Sequence, residues 1–446
     1  MICKTETRTP ITNSIVGLLR AGACICPRRC AQAAYSWVVS ISQPRRGALS
    51  NSMELLINTE SLQPPRTGIG TYTAALLEAY SRAGVPERIH SYSGRRIRQW
   101  PTSARPLRRD GSGRPALRGR LKPMLYRIAS VWDWPYFAWR KLDGHAFSKQ
   151  ARGLETRAVY HEPNFILKPF AGPSVVTVHD LSHLRFPDYH PGARVAFLER
   201  HLGSSLERAW HVITVSELVR RELVETFALD PSRVSSIPLG VSEAFRPADA
   251  ETLDSLESKF GLTPGGYVLC IATREPRKNL VTLFQAFELL PAPLRERYPL
   301  VLCGARGWHA DEIDAHAARL SRRGWLRQLD YVPESALPAL YSGAAVFAFP
   351  SVYEGFGLPA LEAMACGTAV VVGHGTAMAE FAGDSAVTCQ AADPESLSEQ
   401  IRCLLEDRQA RREYIGRAIE RARRFSWRRC ADAHLEIYRN VESPQR

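Results

Sequence analysis

The residues with the most chemical potential are two glutamates, Glu354 and Glu362, with seven residues between them. They lie in Phe349-Pro350-Ser351-Val352-Tyr353-Glu354-Gly355-Phe356-Gly357-Leu358-Pro359-Ala360-Leu361-Glu362. An apolar run stops at Pro350, two glycines follow, and a helix is expected from Leu358-Pro359, because proline suits a first helical turn. The glycines let backbone approach a ligand closely, and a helix start offers unpaired N–H groups to an anion. Glu354 on the loop and Glu362 on the helix can then contact two ends of one extended ligand. Three further segments end apolar runs in the same way. They are Thr273-Arg274-Glu275-Pro276-Arg277-Lys278-Asn279, Thr67-Gly68-Ile69-Gly70-Thr71 and Thr177-Val178-His179-Asp180. Arg277 and Lys278 place two cations side by side on one of these loops.

Such residues need elements to hold them. From Met53 onward, short β-rich apolar runs alternate with helical patterns. The first half offers strands at Leu55–Asn58, Ser174–Val178, Val212–Val215 and Val234–Ile237, with a helix over Thr71–Arg82 after a glycine-rich turn. The second half offers Tyr267–Ala272, Leu300–Cys303, Leu329–Val332, Ala345–Phe349 and Ala369–Val372, with helices at Leu280–Leu290, Leu337–Tyr341 and Leu358–Ala365. Strands apolar on both faces, interleaved with helices, predict two doubly wound parallel sheets with ligands at the strands' carboxyl ends. By that rule His179 lies in a cleft between the halves.

These motifs resemble the retaining glycosyltransferases of family 4, which have the GT-B fold. Glu354 and Glu362 match that family's E-x7-E pair, and Gly355, Phe356, Gly357 and Pro359 match its Gly-Phe-Gly-x-Pro core. The likeness runs from Met53 to the C-terminal helix. It implies α/β architecture with two Rossmann-like domains facing a cleft. Residues 53–245 would form the acceptor-side domain and 246–425 the nucleotide-sugar domain, with 426–446 crossing back onto the first. It further implies a hexosyltransferase with Glu354, His179 and Asp180 as catalytic residues. Gly68, Gly70, Arg277, Lys278, Gly355, Phe356, Gly357 and Glu362 would bind the donor, with Glu362 on the ribose and Glu354 on the sugar. His161, in Tyr160-His161-Glu162, is a candidate on the acceptor side. Gly304-Ala305-Arg306-Gly307-Trp308 and Tyr331-Val332-Pro333 resemble loops around the base and ribose. The combination of Val178-His179-Asp180-Leu181-Ser182-His183, Glu275-Pro276-Arg277-Lys278-Asn279 and Gly304-x-x-Gly307-Trp308 resembles the bacterial mannosyltransferase branch. That leans the donor to GDP-mannose and the acceptor to a saccharide or lipid-linked saccharide, in polysaccharide or lipopolysaccharide synthesis. A UDP-sugar donor and a non-catalytic GT-B scaffold are the alternatives. No cofactor and no metal are implied, and the chain has no Asp-x-Asp.

Composition excludes other classes. The chain has 446 residues, 45% hydrophobic and 23% charged, which suits two globular domains and argues against wholesale disorder. Ten cysteines in so long a chain are not a disulfide framework; those beyond position 260 read as small core residues and fit a reducing cytoplasm. Cys3, Cys24, Cys26 and Cys30 lack the paired spacing of a zinc site. The net charge of +13 is local, with +6 in residues 1–52, +10 in 94–127 and −3 in the remainder. Nucleic-acid binding through those arginines would leave every other motif unexplained, and no nucleic-acid partner is expected. Residues 1–52 read as a disordered leader or an over-extended start before Met53, with a removed targeting arm as the alternative. Residues 94–127 read as a flexible surface insertion. Beside it, Trp132, Trp134 and Trp139 suit either an interfacial membrane contact or core packing.

The expected site of action is the cytoplasm, peripherally on the inner membrane face. Cations near an anionic bilayer contribute about 1 kcal/mol each. A chain starting at Met53 should therefore sediment with anionic vesicles at low salt, and lose that binding at high salt or when the 94–127 arginines are replaced. Equal sedimentation with neutral vesicles would reduce the segment to a solvated loop.

Overall fold

The computed structural model describes residues 53–63, 67–85, 88–101, 143–329 and 332–442. The leader, the basic segment from 102 to 127, Tyr331 and the three tryptophans Trp132, Trp134 and Trp139 lie outside the described residues. The described chain builds two α/β sheets.

The first sheet contains β1 (Glu54–Asn58), β2 (Arg88–Ser93), β3 (Arg96–Gln99), β4 (Ala158–Glu162), β5 (Ser174–Val178), β6 (His211–Thr214) and β7 (Val234–Ser236). Their order is β3-β2-β1-β4-β5-β6-β7. All neighbours are parallel except β2 and β3. Every residue of β1, β4 and β5 is buried. Leu55, Ile57, Val159 and Val175 pack into one core, whereas Leu56, Tyr160, Val176 and Val178 pack into another. That is the period-two signature of strands covered on both faces.

The second sheet contains β8 (Val268–Ile271), β9 (Leu300–Cys303), β10 (Leu326–Leu329), β11 (Val346–Phe349), β12 (Val370–Gly373) and β13 (Val387–Cys389). It is parallel throughout, in the order β10-β9-β8-β11-β12-β13. In each sheet the chain begins centrally, builds one edge, then returns to build the other. The strand order therefore reverses between β1 and β4, and again between β8 and β11. Ligands bind at such reversals in open α/β sheets.

Three local expectations are corrected. Residues 96–99 are not loop but an antiparallel edge strand. Gly94 (φ 57°) and Arg95 (φ 63°) are both left-handed, the backbone of a tight hairpin, and the edge position keeps the arginines solvated. The strand expected at Leu329–Val332 lies earlier, at Leu326–Leu329, because its exposed middle residues Arg327 and Gln328 disguise an edge strand. The helix after β1 spans Gly68–Ala83, so Gly68 and Gly70 belong to its first turn rather than to a turn before it. Of the cysteines beyond 260, Cys403 is exposed; Cys270, Cys303, Cys366, Cys389 and Cys430 are buried, and burial pushes the thiols of Cys303, Cys366 and Cys389 up to about 12.

Two passages of chain connect the sheets side by side. Val241 bridges to Ser426, and its N–H bonds the Phe425 carbonyl at 3.2 Å. A Cβ on Gly240 would stand 2.1 Å from the Trp427 nitrogen, so only glycine permits this approach. Helix Trp427–Glu442 then returns to the first sheet's helix Gly68–Ala83.

That return is sealed by a buried chain of hydrogen bonds with a single direction. His434 Nδ1 lies 2.7 Å from the Cys430 carbonyl, which can only accept, so Nδ1 carries the proton. His434 Nε2 then accepts from the Tyr72 hydroxyl at 2.7 Å, and Tyr72 accepts from Thr177 at 2.9 Å. Thr177 accepts from His161 Nε2 at 2.8 Å, His161 Nδ1 from Tyr438 at 2.7 Å, and Tyr438 from Tyr80 at 3.1 Å. Every member is buried. The scheme works only with both imidazoles neutral. Burial lowers the pKa of each, that of His434 to about 4.

The sign of the resulting pH dependence follows. Below about 6.5 the unfolded histidines bind protons that the folded ones refuse, so unfolding takes up protons and stability falls. Each of the two should remove about 1.4 kcal/mol per pH unit below that point, ending near pH 4 for His434. Thermal melts should fall steadily across this window. Tyr438→Phe, which leaves His161 Nδ1 unpaired, should cost about 1–3 kcal/mol at pH 7.5. Melts indifferent to both changes would refute the network.

Candidate active site

The loops that leave β8 and β11 meet across the reversal of the second sheet. After β8 the chain forms a short 3-10 turn, Pro276–Lys278, which ends at left-handed Asn279 (φ 57°). Asn279 ties this turn to the neighbouring loops by donating to the Pro350 carbonyl at 3.1 Å and to that of Ala391. After β11, Glu354 is buried at the tip of the opposite loop. Its Oε2 accepts from Arg277 at 2.9 Å, and its Oε1 accepts from Lys278 at 2.5 Å. Burial alone would push this carboxyl up, but Arg277 and Lys278 outweigh it and hold it below its usual range. Arg277 is braced twice more, donating to Glu275 Oε1 at 2.9 Å and to the Tyr353 carbonyl at 3.0 Å. The Lys278 ammonium also sits 5.2 Å from the Phe349 ring centroid.

The loop after β5 in the first sheet closes onto this pair. His179 donates from Nε2 to the Pro163 carbonyl at 2.8 Å, which fixes its tautomer, and its ring stands edge-on to Tyr72 at 5.0 Å. Burial lowers its pKa, against the raising influence of Pro163 and Asp180. Asp180 accepts from the Ser182 N–H at 3.0 Å and the Ser182 hydroxyl at 2.7 Å. Burial would raise its carboxyl, yet the Arg277 charge and the Ser182 bonds hold it down at about 2. Asp180 therefore stays anionic and faces the guanidinium that clamps Glu354. At the reversal of the first sheet, Asn58 from β1 donates to both oxygens of Glu162 from β4, at 3.1 and 2.9 Å.

Contacts between the two sheets' loops hold this arrangement. A Cβ on Gly355 would fall 1.8 Å from the His179 carbonyl oxygen, so the loops touch through bare backbone. Tyr353 accepts from the Leu181 N–H at 3.1 Å and donates to Glu222 at 2.5 Å. The Glu380 carboxylate caps the helix Glu217–Phe227, accepting from the N–H groups of Glu217 and Leu218 at 2.8 and 2.7 Å. Trp308 reaches across to the Tyr189 carbonyl at 2.5 Å.

The structure thus brings Glu354, Arg277, Lys278, Gly355 and Asp180 together, with His179 beside them. Gly357 (φ 103°) begins the helix Leu358–Ala365, and a Cβ there would meet Met378 at 2.4 Å. Glu362 lies one turn into that helix and accepts from Tyr341 at 2.9 Å. Other candidates sit elsewhere. Phe356 is buried and stacks on Phe381 at 4.8 Å, as part of the packing beneath the loop. Gly68 is exposed, and a Cβ there would meet nothing, so no steric demand singles it out; Gly70 is buried in the same turn. His161 is wholly buried, with both nitrogens committed to the network described above, and presents no free ring atom to an acceptor. Sequence reasoning missed Glu275, Tyr353 and Glu222, whose roles depend on distant partners. A cavity of about 1600 Å³ lies apart from these loops, lined by Ala75, Arg82, Phe245, Pro247, Trp427 and Leu435 among others.

Two parallel α/β sheets whose strand-end loops meet across a seam define the GT-B class of enzyme. Comparison with known proteins takes this further. The model of glycosyltransferase family 4 matches residues 66–245, and that of glycosyl transferases group 1 matches residues 257–421. The O-antigen chain mannosyltransferase B of Escherichia coli is 36% identical over 389 residues, covering 87% of this chain and all of that one. The serotype-specific mannosyltransferase WbdA of Escherichia coli is 30% identical over 329 residues, 67% of this chain and 39% of its own length. Among solved structures, the sucrose-phosphate synthase of Thermosynechococcus elongatus superposes with a TM-score of 0.64 at 18% identity, over 88% of this chain and 99% of its own. The chain belongs to the group 1 glycosyltransferases, and it is an enzyme that transfers a glycosyl unit.

The Gly355 contact yields a direct test. Gly355→Ala must push the β11 loop off the His179 carbonyl, and a misplacement of about 1 Å is worth about 100-fold in rate. Transfer should fall by about that factor while circular dichroism stays unchanged. Full activity would show that the seam does not set the site.

Proposed function

We propose that this enzyme is a retaining family 4 mannosyltransferase, moving mannose from GDP-mannose to a saccharide acceptor in O-antigen synthesis. The observation that carries the reading is the 36% identity with the O-antigen chain mannosyltransferase B, over that protein's whole length. The clamp of Glu354 between Arg277 and Lys278 supports it chemically.

In this reading the donor diphosphate approaches the β8 loop and offers Arg277 and Lys278 a second anionic partner. Both cations are held in advance by Glu354, Glu275 and the Tyr353 carbonyl, so little reorganisation is needed as the glycosidic bond breaks. With the cations shared between Glu354 and the phosphates, the remaining lone pairs of Glu354 accept from hydroxyls of the sugar. Glu362, oriented by Tyr341, holds the ribose hydroxyls. Asp180 stays anionic beside Arg277 and keeps that guanidinium aimed into the seam. His179, with Nε2 committed to Pro163, has only Nδ1 to offer the transferred sugar.

A metal is not required in this scheme. The fixed cations Arg277 and Lys278 would neutralise the diphosphate in its place. Among the described residues no helix is long and apolar enough to cross a membrane. Work at the inner face of the cytoplasmic membrane would therefore rest on the basic and aromatic stretches.

The test is a panel of nucleotide sugars with mannose-terminated acceptors, scored by nucleoside diphosphate release and by the anomeric configuration of the product. GDP-mannose should be preferred, the product should keep the donor's configuration, turnover should survive EDTA, and Glu354→Ala should abolish transfer. Preference for a UDP-sugar would overturn the donor assignment, an inverted product the stereochemistry, and loss in EDTA rescued by Mg²⁺ the metal-free scheme.

A further inference from the structure

Just beyond Asp180, two imidazoles are buried with nothing to bond. His183, in the short helix Ser182–Arg185, is 1% exposed; His190, after the turn Pro187–Tyr189, is 5% exposed. Neither ring nitrogen of either residue has a hydrogen-bond partner among the described residues. His161 and His434, equally buried, each use both of theirs. Buried polar atoms are normally satisfied, so four orphaned nitrogens on two rings seven residues apart leave hydrogen-bonding capacity for a partner from outside the chain.

Their surroundings indicate its chemistry. Phe165 stands edge-on to His183 with centroids 6.3 Å apart, and Trp308, folded over from the second sheet's side of the seam, lies 5.9 Å from His190. Asp180 and Arg194 act electrostatically on both rings, and Arg277 acts on His190, which places the pair beside the clamp. Burial keeps His183 neutral, with its pKa lowered to about 4, and lowers His190 in the same sense. A neutral imidazole carries one donor and one acceptor. A phosphate group would ask for cations or several donors. Paired donors and acceptors between aromatic walls, with an anionic carboxylate at hand, match the hydroxyls of a sugar ring.

We propose that His183 and His190 form a hydroxyl-recognition subsite for a sugar ring at the domain seam, and that they determine which sugar is accepted. The sugar is either the transferred unit or the terminal residue of the acceptor. The proposal rests on the mannosyl-transfer reading only for its choice of probes.

His183→Phe and His190→Phe keep an aromatic ring and remove two unpaired nitrogens each. If the histidines are merely core, these variants melt at or above the parent temperature with unchanged kinetics. The subsite predicts a KM raised at least tenfold for one substrate, kcat changed far less, and partial recovery in His183→Asn or His190→Asn. A rise in KM for GDP-mannose assigns the donor sugar, and a rise for a methyl mannoside acceptor assigns the acceptor. The unaltered enzyme supplies an independent measurement, with singly deoxygenated versions of both substrates. At least one deoxy position should lose about 100-fold in kcat/KM, a loss the His→Phe variants no longer show. Unchanged KM values, or equal use of every deoxy analogue, overturn the subsite. If the unaltered enzyme turns over another nucleotide sugar instead, the mannose reading fails alone, and the deoxy series is run on that sugar.

Discussion

Glu354 lies between Arg277 and Lys278, and this ion cluster joins the two loops that flank the strand reversal of the second sheet. A buried carboxylate and two half-buried cations are tolerable only if each is paired and hydrogen-bonded. Much of the surrounding architecture meets that condition. Glu275 and the Tyr353 carbonyl accept further guanidinium N–H groups, Asn279 ties the 3-10 turn to the β11 side, and Asp180 brings a third carboxylate, from the first sheet. The cations are thereby held at the strand ends rather than left on mobile side chains, which is what stabilisation of a departing diphosphate requires.

Because one member of that charge group belongs to the other sheet, the placement of the sheets matters to the chemistry. Three different interactions set it. Gly355 lets backbone touch backbone at His179, Glu380 caps a helix across the seam, and Gly240 lets the two connecting passages lie against each other. The C-terminal helix adds a fourth constraint through its neutral network onto Tyr72 and His161. Thr177, in that network, is two residues before His179, so the packing of the last helix reaches the seam by a short covalent path.

What was legible in the sequence divides along physical lines. Glu354, Arg277, Lys278 and Asp180 stand beyond the ends of apolar strands, and such strands with their following loops are local features, so both the fold and the placement of these residues could be read directly. The hairpin at Gly94-Arg95 and the edge strand Leu326–Leu329 were obscured because edge strands are half polar, and polarity was read as loop. His161 looked like a cleft residue because it lies on a strand near its carboxyl end; its partner Tyr438 is 277 residues away, which no local pattern reveals. Phe356 sits inside a loop motif, but its ring turns down onto Phe381 while its glycine neighbours form the surface. Tyr353 and Glu222 were silent for the reason that applies to His161, since each acquires its meaning from the opposite sheet.

The central claim is that the cations fixed by Glu354 receive the diphosphate of the donor. Calorimetric titration of GDP into the enzyme and into Lys278→Met measures this without dependence on the acceptor or on turnover. The account predicts that Lys278→Met weakens GDP at least tenfold, with a binding enthalpy reduced in proportion and a melting temperature within a few degrees of the parent. Unchanged GDP affinity in a folded Lys278→Met enzyme would contradict it.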